Sequence, residues 1–143
     1  MGATAESAAG QSSGAARLGL QAGQMVQEFG YDDDVDHELR SGIESATGNE
    51  LVDEDGEEVV DAAIFWWREE DGDLVDALLG VLTDVAEGGV IWLLTPKSGR
   101  DGHVQPAEIE EAAPTAGLHA TSTVNVGRDW TGTRLVTSRG SRR

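Results

Sequence analysis

The sequence predicts an α/β protein of three layers: a mainly parallel sheet of about five to six strands between helices, closed by a C-terminal antiparallel hairpin. Nearly continuous apolar runs at residues 59–67 and 89–94 indicate strands that are buried on both faces, as in parallel sheets. A helical apolar stripe from Leu74 to Val85 separates the two runs. Strands that alternate with helices form βαβ units, and right-handed crossovers place the helices on both faces.

The first half of the chain predicts a strand, a helix and a short second strand. The first strand covers residues 24–29 and ends at Gly30. One of the acids at positions 32–34 is expected to cap the helix, and Gly48 is expected to end it. A short strand at residues 50–52 and an acidic loop at 53–58 follow. The apolar stripe of this helix consists of Val35, Leu39, Ile43 and Ala46.

The second half predicts two helices and three strands after the first apolar run. Asp71 or Asp73 is expected to cap the helix that Gly88 ends, and Pro96 stops the strand at 89–94. Pro106 opens a short helix. Strands at 118–126 and 133–137 have no helix between them, so we expect them to pair antiparallel.

Length and composition predict one domain in residues 18–138, between a flexible tail at 1–17 and a flexible basic end at 139–143. The absence of cysteine excludes disulfides, thiolate catalysis and thiolate metal sites. The longest apolar run is far shorter than the ~20 residues of a membrane span. No secretory signal is visible, so the expected location is the cytoplasm.

The net charge of −17 is concentrated in one part of the chain. Residues 28–87 hold 21 of the 27 acidic residues, and Arg40 and Arg68 are their only bases. This balance argues against direct nucleic-acid binding across a broad face, which needs cations to neutralise phosphates. The acids either keep the protein soluble, meet a basic protein partner, or hold a cation weakly.

Several segments resemble class I methyltransferases, which have a Rossmann-like fold. The resemblance rests on the helix DLVDALLGVLTDVAEGG, the strand GGVIWLLTPK and the closing hairpin. That family carries a glycine-rich E/D-x-G-x-G-x-G loop after its first strand, whereas this chain has Glu28-Phe29-Gly30-Tyr31-Asp32. Its second strand ends in an acid that binds ribose hydroxyls, for which residues 50–53 are the candidate here. The resemblance therefore implies a reduced fold that has lost its cofactor.

A longer resemblance connects the chain to an actinobacterial family known only as domain of unknown function number three thousand and fifty-two. It covers residues 18–36, 50–55, 59–118 and 121–136. This resemblance implies a fold and a lineage, because no activity is assigned to the family.

Four segments are expected to meet at the carboxyl ends of the strands, where open α/β sheets bind ligands: residues 30–34, 66–68, 95–97 and 128–130. Aromatic faces there can stack a planar ring or hold a cation. The candidate ligand-binding residues are Gly30, Tyr31, Asp32, Asp34, Trp66, Trp67, Thr95, Lys97 and Trp130.

Each of these candidates also has a purely structural interpretation. Trp66 and Trp67 lie on opposite faces of one strand and can simply pack under the helices. Trp92 is expected in the core. Trp130, between glycines and charges, is the best candidate for an exposed aromatic, but it can equally pack on the hairpin. Lys97 either meets an anionic ligand or pairs with the acids at 32–34 on the surface.

No catalytic or metal-binding motif is present in the sequence. The acids at 32–36 begin like an EF-hand loop, but His37 and Ile43 stand where that loop needs glycine and glutamate. The three histidines have no zinc-site spacing, and neither a G-x-S-x-G elbow nor a phosphate loop occurs. We therefore expect no metal, no cofactor and no catalytic residues.

These observations favour a non-catalytic regulatory module that binds a small ligand or a protein. Two alternatives stay open: a degenerate S-adenosylmethionine-dependent methyltransferase, and an acidic partner of a basic protein.

Overall fold

The computed structural model describes residues 13–83 and 85–137, and this part of the chain forms four α-helices and five strands. A short 3-10 helix, Glu69–Asp71, follows the second strand. In chain order the elements are α1 (Ser13–Arg17), β1 (Val26–Phe29), α2 (His37–Thr47), β2 (Val60–Trp66), α3 (Leu74–Leu82), β3 (Val85–Pro96), α4 (Pro106–Thr115), β4 (Leu118–Asn125) and β5 (Trp130–Thr137).

The sheet has the strand order β1-β2-β3-β5-β4. β1, β2 and β3 are parallel, and β5 runs antiparallel to both of its neighbours. The predicted closing hairpin is thereby confirmed. The predicted strand at 50–52 is reduced to one parallel bridge between Val52 and Gln27. Because Gln27 also pairs with Ala63 of β2, Val52 lies on the outer side of β1.

Two apolar cores cover the two faces of the sheet. One core joins Phe65 and Trp67 to residues of α3 and α4, including Leu78 and Ile109. The other core joins Trp66 and Trp92 to residues of α1 and α2, including Ile43. Alternate residues of β2 thus enter opposite cores, as the period of a strand requires. The three-layer Rossmann-like α/β fold is confirmed.

The cap of α2 differs from the prediction. Asp36 is the N-cap, with extended backbone, and its carboxylate accepts a hydrogen bond of 3.0 Å from the Leu39 amide. The acids at 32–34 lie too early in the chain, because a cap must directly precede the first helical residue. Gly48 ends α2 as predicted, with a left-handed φ of +81°.

The boundary between α3 and β3 also differs from the prediction. α3 ends at Leu82 with Thr83 as its cap, so Gly88 is not the helix end. Val85 already pairs with Val60, and a bulge then brings Val90 opposite Ala62. Gly88 lies inside this bulge with a φ of +84°. Val85 fits both a helical and a strand period, which explains why periodicity alone extended the helix.

The predicted N-terminal tail is too long at its inner end. Residues 13–17 form α1, Ala15 is buried, and Leu18 packs in the same core. Residues 1–12 and the predicted basic end at 139–143 lie outside the described residues.

Candidate ligand cleft at the strand ends

A cleft of about 620 Å³ opens at the carboxyl ends of β1 and β2. The chain leaves β1 toward Val52 on one side and then returns to form β2 on the other side. Ligands of open α/β sheets bind outside the strand ends at such a reversal of strand order. We call this space the strand-end cleft; it is lined by Phe29–Asp32, Glu54, Phe65–Arg68, Asp71, Ala77, Gly80 and Val81.

The strand-end cleft combines an aromatic surface with an acidic rim. The Phe65 ring lies edge-on to the rings of both Phe29 and Trp67, with centroids 6.1 and 5.4 Å apart. The exposed carboxylates of Asp32, Glu54 and Asp71 also line the cleft. Of these three carboxylates, only that of Glu54 contacts the end of β1, where it accepts a hydrogen bond of 3.0 Å from the Gly30 amide.

The indole of Trp67 is the one tryptophan indole without a hydrogen-bond acceptor in the described part of the chain. Trp67 is buried, and its Nε1 has no partner. The other three indoles donate to acceptors 2.9 to 3.2 Å away: Trp66 to Glu28, Trp92 to the Leu18 carbonyl, and Trp130 to the Asp34 carbonyl. An unpaired buried donor costs about 1–3 kcal/mol, so such a group invites a functional explanation.

The guanidinium of Arg68 occupies the junction between the strand ends. Nη1 donates to the carbonyl of Gly30 at 2.9 Å and to that of Trp66 at 3.1 Å. Nε and Nη2 form a two-point ion pair with Asp34, at 3.0 and 2.5 Å. The guanidinium carbon also lies 5.3 Å from the centre of the Trp130 ring. Arg68 therefore ties β1, β2 and the start of β5 together.

The charge balance around Arg68 keeps this pair ionised. The hydrogen bond from Arg68 lowers the pKa of Asp34 below its ordinary value, outweighing the opposite effect of burial. Burial opposes the charge of Arg68, but its hydrogen bonds and charge interactions with Asp34 and Asp71 raise its pKa above the ordinary value. Asp71 also accepts from the Arg68 amide at 3.0 Å.

Gly30 is the residue that lets the two strand ends approach. Its φ of +76° lies in the left-handed region that favours glycine. A Cβ at this position would overlap the carbonyl oxygen of Trp66, which accepts from Arg68. The glycine thus serves close packing of backbone against backbone.

A second ion pair joins α2 to β1. The guanidinium of Arg40 on α2 donates to the buried carboxylate of Glu28 at 2.6 and 3.0 Å. The hydrogen bond to Glu28 raises the pKa of Arg40 above its ordinary value. The same carboxylate accepts from Trp66, and Arg40 lies 4.8 Å from the centre of the Tyr31 ring. Both bases of the acidic stretch therefore hold β1 and its neighbours in place.

The structure brings most of the predicted segments together, with two corrections. Trp130, the candidate for an exposed aromatic, is only 3 % exposed, because its ring packs against Trp66 at 4.8 Å between centroids. Asp34 pairs with Arg68 and not with Lys97. The backbone amide of Lys97 donates a hydrogen bond of 2.9 Å to the carbonyl of Asp129. Of the nine candidates, Gly30, Tyr31, Asp32, Trp66 and Trp67 line the strand-end cleft.

The remaining candidates lie elsewhere. Thr95 lines a separate pocket under α4, and neither Asp34 nor Lys97 belongs to the lining of the strand-end cleft. Phe29, Phe65 and Glu54 also line the cleft and were not among the residues predicted from the sequence. Phe29 and Phe65 have a detectable signal, because Phe29 is the last residue of one predicted strand and Phe65 lies two residues before the end of another. Glu54 lies one residue beyond the acids considered for a ribose contact.

The titratable groups that line the strand-end cleft are the carboxylates of Asp32, Glu54 and Asp71, the Tyr31 phenol and the Arg68 guanidinium. Among the described residues, its lining contains no serine, threonine, cysteine, histidine or lysine. Residues 13–83 and 85–137 also contain no cluster of three or more histidine, aspartate or glutamate side chains placed to hold a metal ion. In the same part of the chain, no helix has the length and apolar character that crossing a membrane requires.

Comparison of the fold with solved structures finds methyltransferases. A methyltransferase from Streptomyces caelestis matches with a TM-score of 0.56 at 10 % identity, over 92 % of this chain and 96 % of that one. Magnesium protoporphyrin IX methyltransferase from Synechocystis, solved with bound SAM, also has a TM-score of 0.56, at 11 % identity over 93 % and 79 % of the two chains. At such low identity, the likeness concerns the fold alone.

Sequence comparison finds much closer relatives. Uncharacterized proteins of Mycobacterium bovis and Mycobacterium tuberculosis are each 53 % identical over 135 residues, which cover 94 % of this chain and 85 % of the relative. The family model described as "Protein of unknown function (DUF3052)" matches residues 15–139. The chain therefore belongs to this DUF3052 family, on a methyltransferase-like Rossmann fold.

Proposed function

We propose that this chain is a non-catalytic regulatory module, and that its strand-end cleft binds a small ligand with a positive charge and an aromatic or apolar body. The observation that carries the proposal is the acidic rim above an aromatic surface at the reversal of strand order. The carboxylates of Asp32, Glu54 and Asp71 favour a cation there. The rings of Phe29, Phe65 and Trp67 add apolar contact and cation–π attraction.

The two arginine side chains near the cleft support a positively charged ligand, because both are already paired. Arg68 is satisfied by Asp34, Asp71 and two carbonyls, so it has little capacity left for an anionic ligand. Arg40 is likewise paired with Glu28. Asp32 and Glu54 of the rim pair with neither arginine, which leaves the mouth of the cleft negative.

The non-catalytic part of the proposal rests on the use of these side chains. Glu28 and Asp34, the carboxylates with the strongest partners, hold the strand ends through ion pairs. A catalytic nucleophile or base needs a reactive group within hydrogen-bond reach of the substrate. Apart from the exposed carboxylates of the rim, the cleft is lined by aromatic, small and ion-paired residues, which suit binding better than group transfer.

Isothermal titration calorimetry with benzyltrimethylammonium tests the proposal directly. Its trimethylammonium group supplies the charge and its ring supplies the planar body, while benzyl alcohol serves as the neutral comparison. We expect the cation to bind more tightly than the alcohol, and we expect added salt to weaken the binding of the cation only.

Two double variants separate the rim from the general acidity of the chain. The double variant Asp32→Asn with Glu54→Gln should bind the cation about tenfold more weakly, a loss of about 1.4 kcal/mol in binding free energy. The control, Asp55→Asn with Glu57→Gln, removes two exposed acids that do not line the cleft. Equal binding of alcohol and cation, or equal losses in the two double variants, would contradict the proposal.

A degenerate methyltransferase is the second candidate, favoured by the fold. The carboxylate of Glu54, which follows the Val52 bridge, reaches the end of β1 where an acid of that family binds ribose. This candidate predicts heat on titration with S-adenosylmethionine and a weaker signal for Glu54→Ala. Absence of heat at millimolar S-adenosylmethionine would remove it, whereas turnover of the methyl donor would overturn the non-catalytic proposal.

A further inference from the structure

A second pocket, of about 230 Å³, lies on the same face of the sheet but beneath the start of α4. Thr95 of β3 and Thr131 and Thr133 of β5 contribute side chains to it, and Val104 and Ile109 form an apolar wall. We call it the hydroxyl pocket. The hydroxyl pocket and the strand-end cleft have no lining residue in common.

Two largely buried threonines line this pocket, and their hydroxyl groups have no partner within the described part of the chain. Thr95 is 3 % exposed and Thr133 is 5 % exposed. Neither side-chain hydroxyl forms a hydrogen bond with another residue in the described part of the chain. Neither oxygen is among the fully buried atoms of the described residues that lack a partner, so both hydroxyls are open to the space of the pocket and can donate to and accept from a molecule there. The two threonines therefore point to a polar occupant.

The other polar groups of the pocket define the hydrogen bonds that the occupant must make. The Nδ1 atom of His103 lies 3.0 Å from the carbonyl oxygen of Pro96, which can only accept, so Nδ1 carries the proton. In the neutral ring, Nε2 is then an acceptor. Glu110 and Ser98 at the mouth add a carboxylate and a further hydroxyl. The ligand must donate several hydrogen bonds and also accept some.

Charge and size narrow the class further. No lysine or arginine belongs to the lining among the described residues, which disfavours an anion. The volume of about 230 Å³ lies below the range of drug-sized pockets, which favours a small ligand. The apolar wall of Val104 and Ile109 suits the C–H face of a ring. We propose that the hydroxyl pocket binds a small neutral polyhydroxy compound, a cyclic polyol or a monosaccharide.

Heteronuclear NMR titration of the full chain tests this site. The probes are myo-inositol, D-glucose and D-ribose at millimolar concentrations, with adenine as a planar comparison. At least one polyol should shift the amide signals of Thr95, His103 and Thr133. The amides of Asp32 and Glu54 should stay in place, so the result is independent of the strand-end cleft.

Conservative variants separate binding from folding. Thr133→Val removes a hydroxyl at constant shape and should weaken the polyol by about tenfold, the effect of one good hydrogen bond. Thr133→Ser retains the hydroxyl and should retain binding, and Thr137→Val, on the same strand but outside the pocket, should change nothing. Thr95→Val provides a second variant if Thr133→Val does not fold.

Three results would overturn the proposal. They are the absence of shifts with all three polyols, shifts with adenine alone, and unchanged polyol affinity in folded Thr133→Val or Thr95→Val protein.

Discussion

Arg68 connects more of the candidate site than any other side chain described above. It binds two backbone carbonyls, two carboxylates and one aromatic face, and it is 8 % exposed. Its position after an apolar run shows only that a strand has ended. The length of the side chain and the reach of Asp34, 34 positions away in sequence, decide the rest.

Replacing Arg68→Met should destabilise the protein by roughly 2–3 kcal/mol, because the carbonyls of Gly30 and Trp66 lose their donor. Asp34 contributes less to this loss, since its side chain is 53 % exposed. The matched control is Arg100→Met, whose half-exposed pair with Asp129 should contribute less than about 1 kcal/mol. Urea unfolding measures both, and equal losses would contradict the assigned role of Arg68.

The lowered pKa of Asp34 predicts a pH dependence with a defined sign. Since the folded-state pKa lies below the ordinary value of 3.8, the stabilisation is complete above that value and is lost as the pH falls below it. Asp34→Asn should therefore be less stable than the wild type at pH ~6, and the difference should narrow below pH ~4. Chemical unfolding at both pH values measures this.

Asp33→Asn is the control for that comparison. Asp33 is exposed, and no ion pair within the described residues includes it. A difference between wild type and Asp34→Asn that stays constant through the acidic range would show that the ion pair contributes no pH-dependent stability.

At the scale of elements, helix caps distinguish the structure from the sequence pattern. Asp36→Ala removes the side chain that accepts from Leu39 and should cost about 1 kcal/mol. Asp33→Ala changes an acid of the predicted capping run and should stay within about 0.5 kcal/mol of wild type. Thermal unfolding of the two variants checks this, and the reverse order would place the cap where the sequence suggested.

The order of the elements could be predicted from the sequence because periodicity reports burial. The apolar run ending at Trp66 and the stripe at Leu74, Leu78 and Val81 are both buried as expected. Periodicity fails at Val85, because its spacing fits both a helix and a strand. A second limit appears at Trp130, where polar neighbours suggested exposure but the ring packs on Trp66.

The candidate site was less predictable than the fold. Sequence places Gly30, Tyr31 and Trp67 at one edge of the sheet, and that placement is correct. It does not reveal that Asp34 pairs with Arg68 and lies outside the cleft lining, or that Thr95 lines another pocket. Those outcomes depend on side-chain direction and on partners distant in sequence, which neither composition nor spacing encodes.

For the whole molecule, the net charge of −17 predicts how salt acts on stability. Repulsion among 27 acids should outweigh attraction in the ion pairs, because only 10 bases are present. Raising NaCl from about 0.01 M to about 1 M shortens the Debye length from ~30 to ~3 Å and should raise Tm. A Tm that falls with salt, measured by calorimetry, would mean that the ion pairs of Arg40 and Arg68 dominate.

The most direct test of the strand-end cleft is the indole region of a ¹H–¹⁵N spectrum during titration with benzyltrimethylammonium. The four tryptophans give four indole signals, and in the described structure three of these groups already have acceptors. The account predicts that the Trp67 signal moves most, because its ring lines the cleft, while that of Trp92 stays unchanged. A titration that moves Trp92 as much as Trp67, or moves no indole signal, would contradict it.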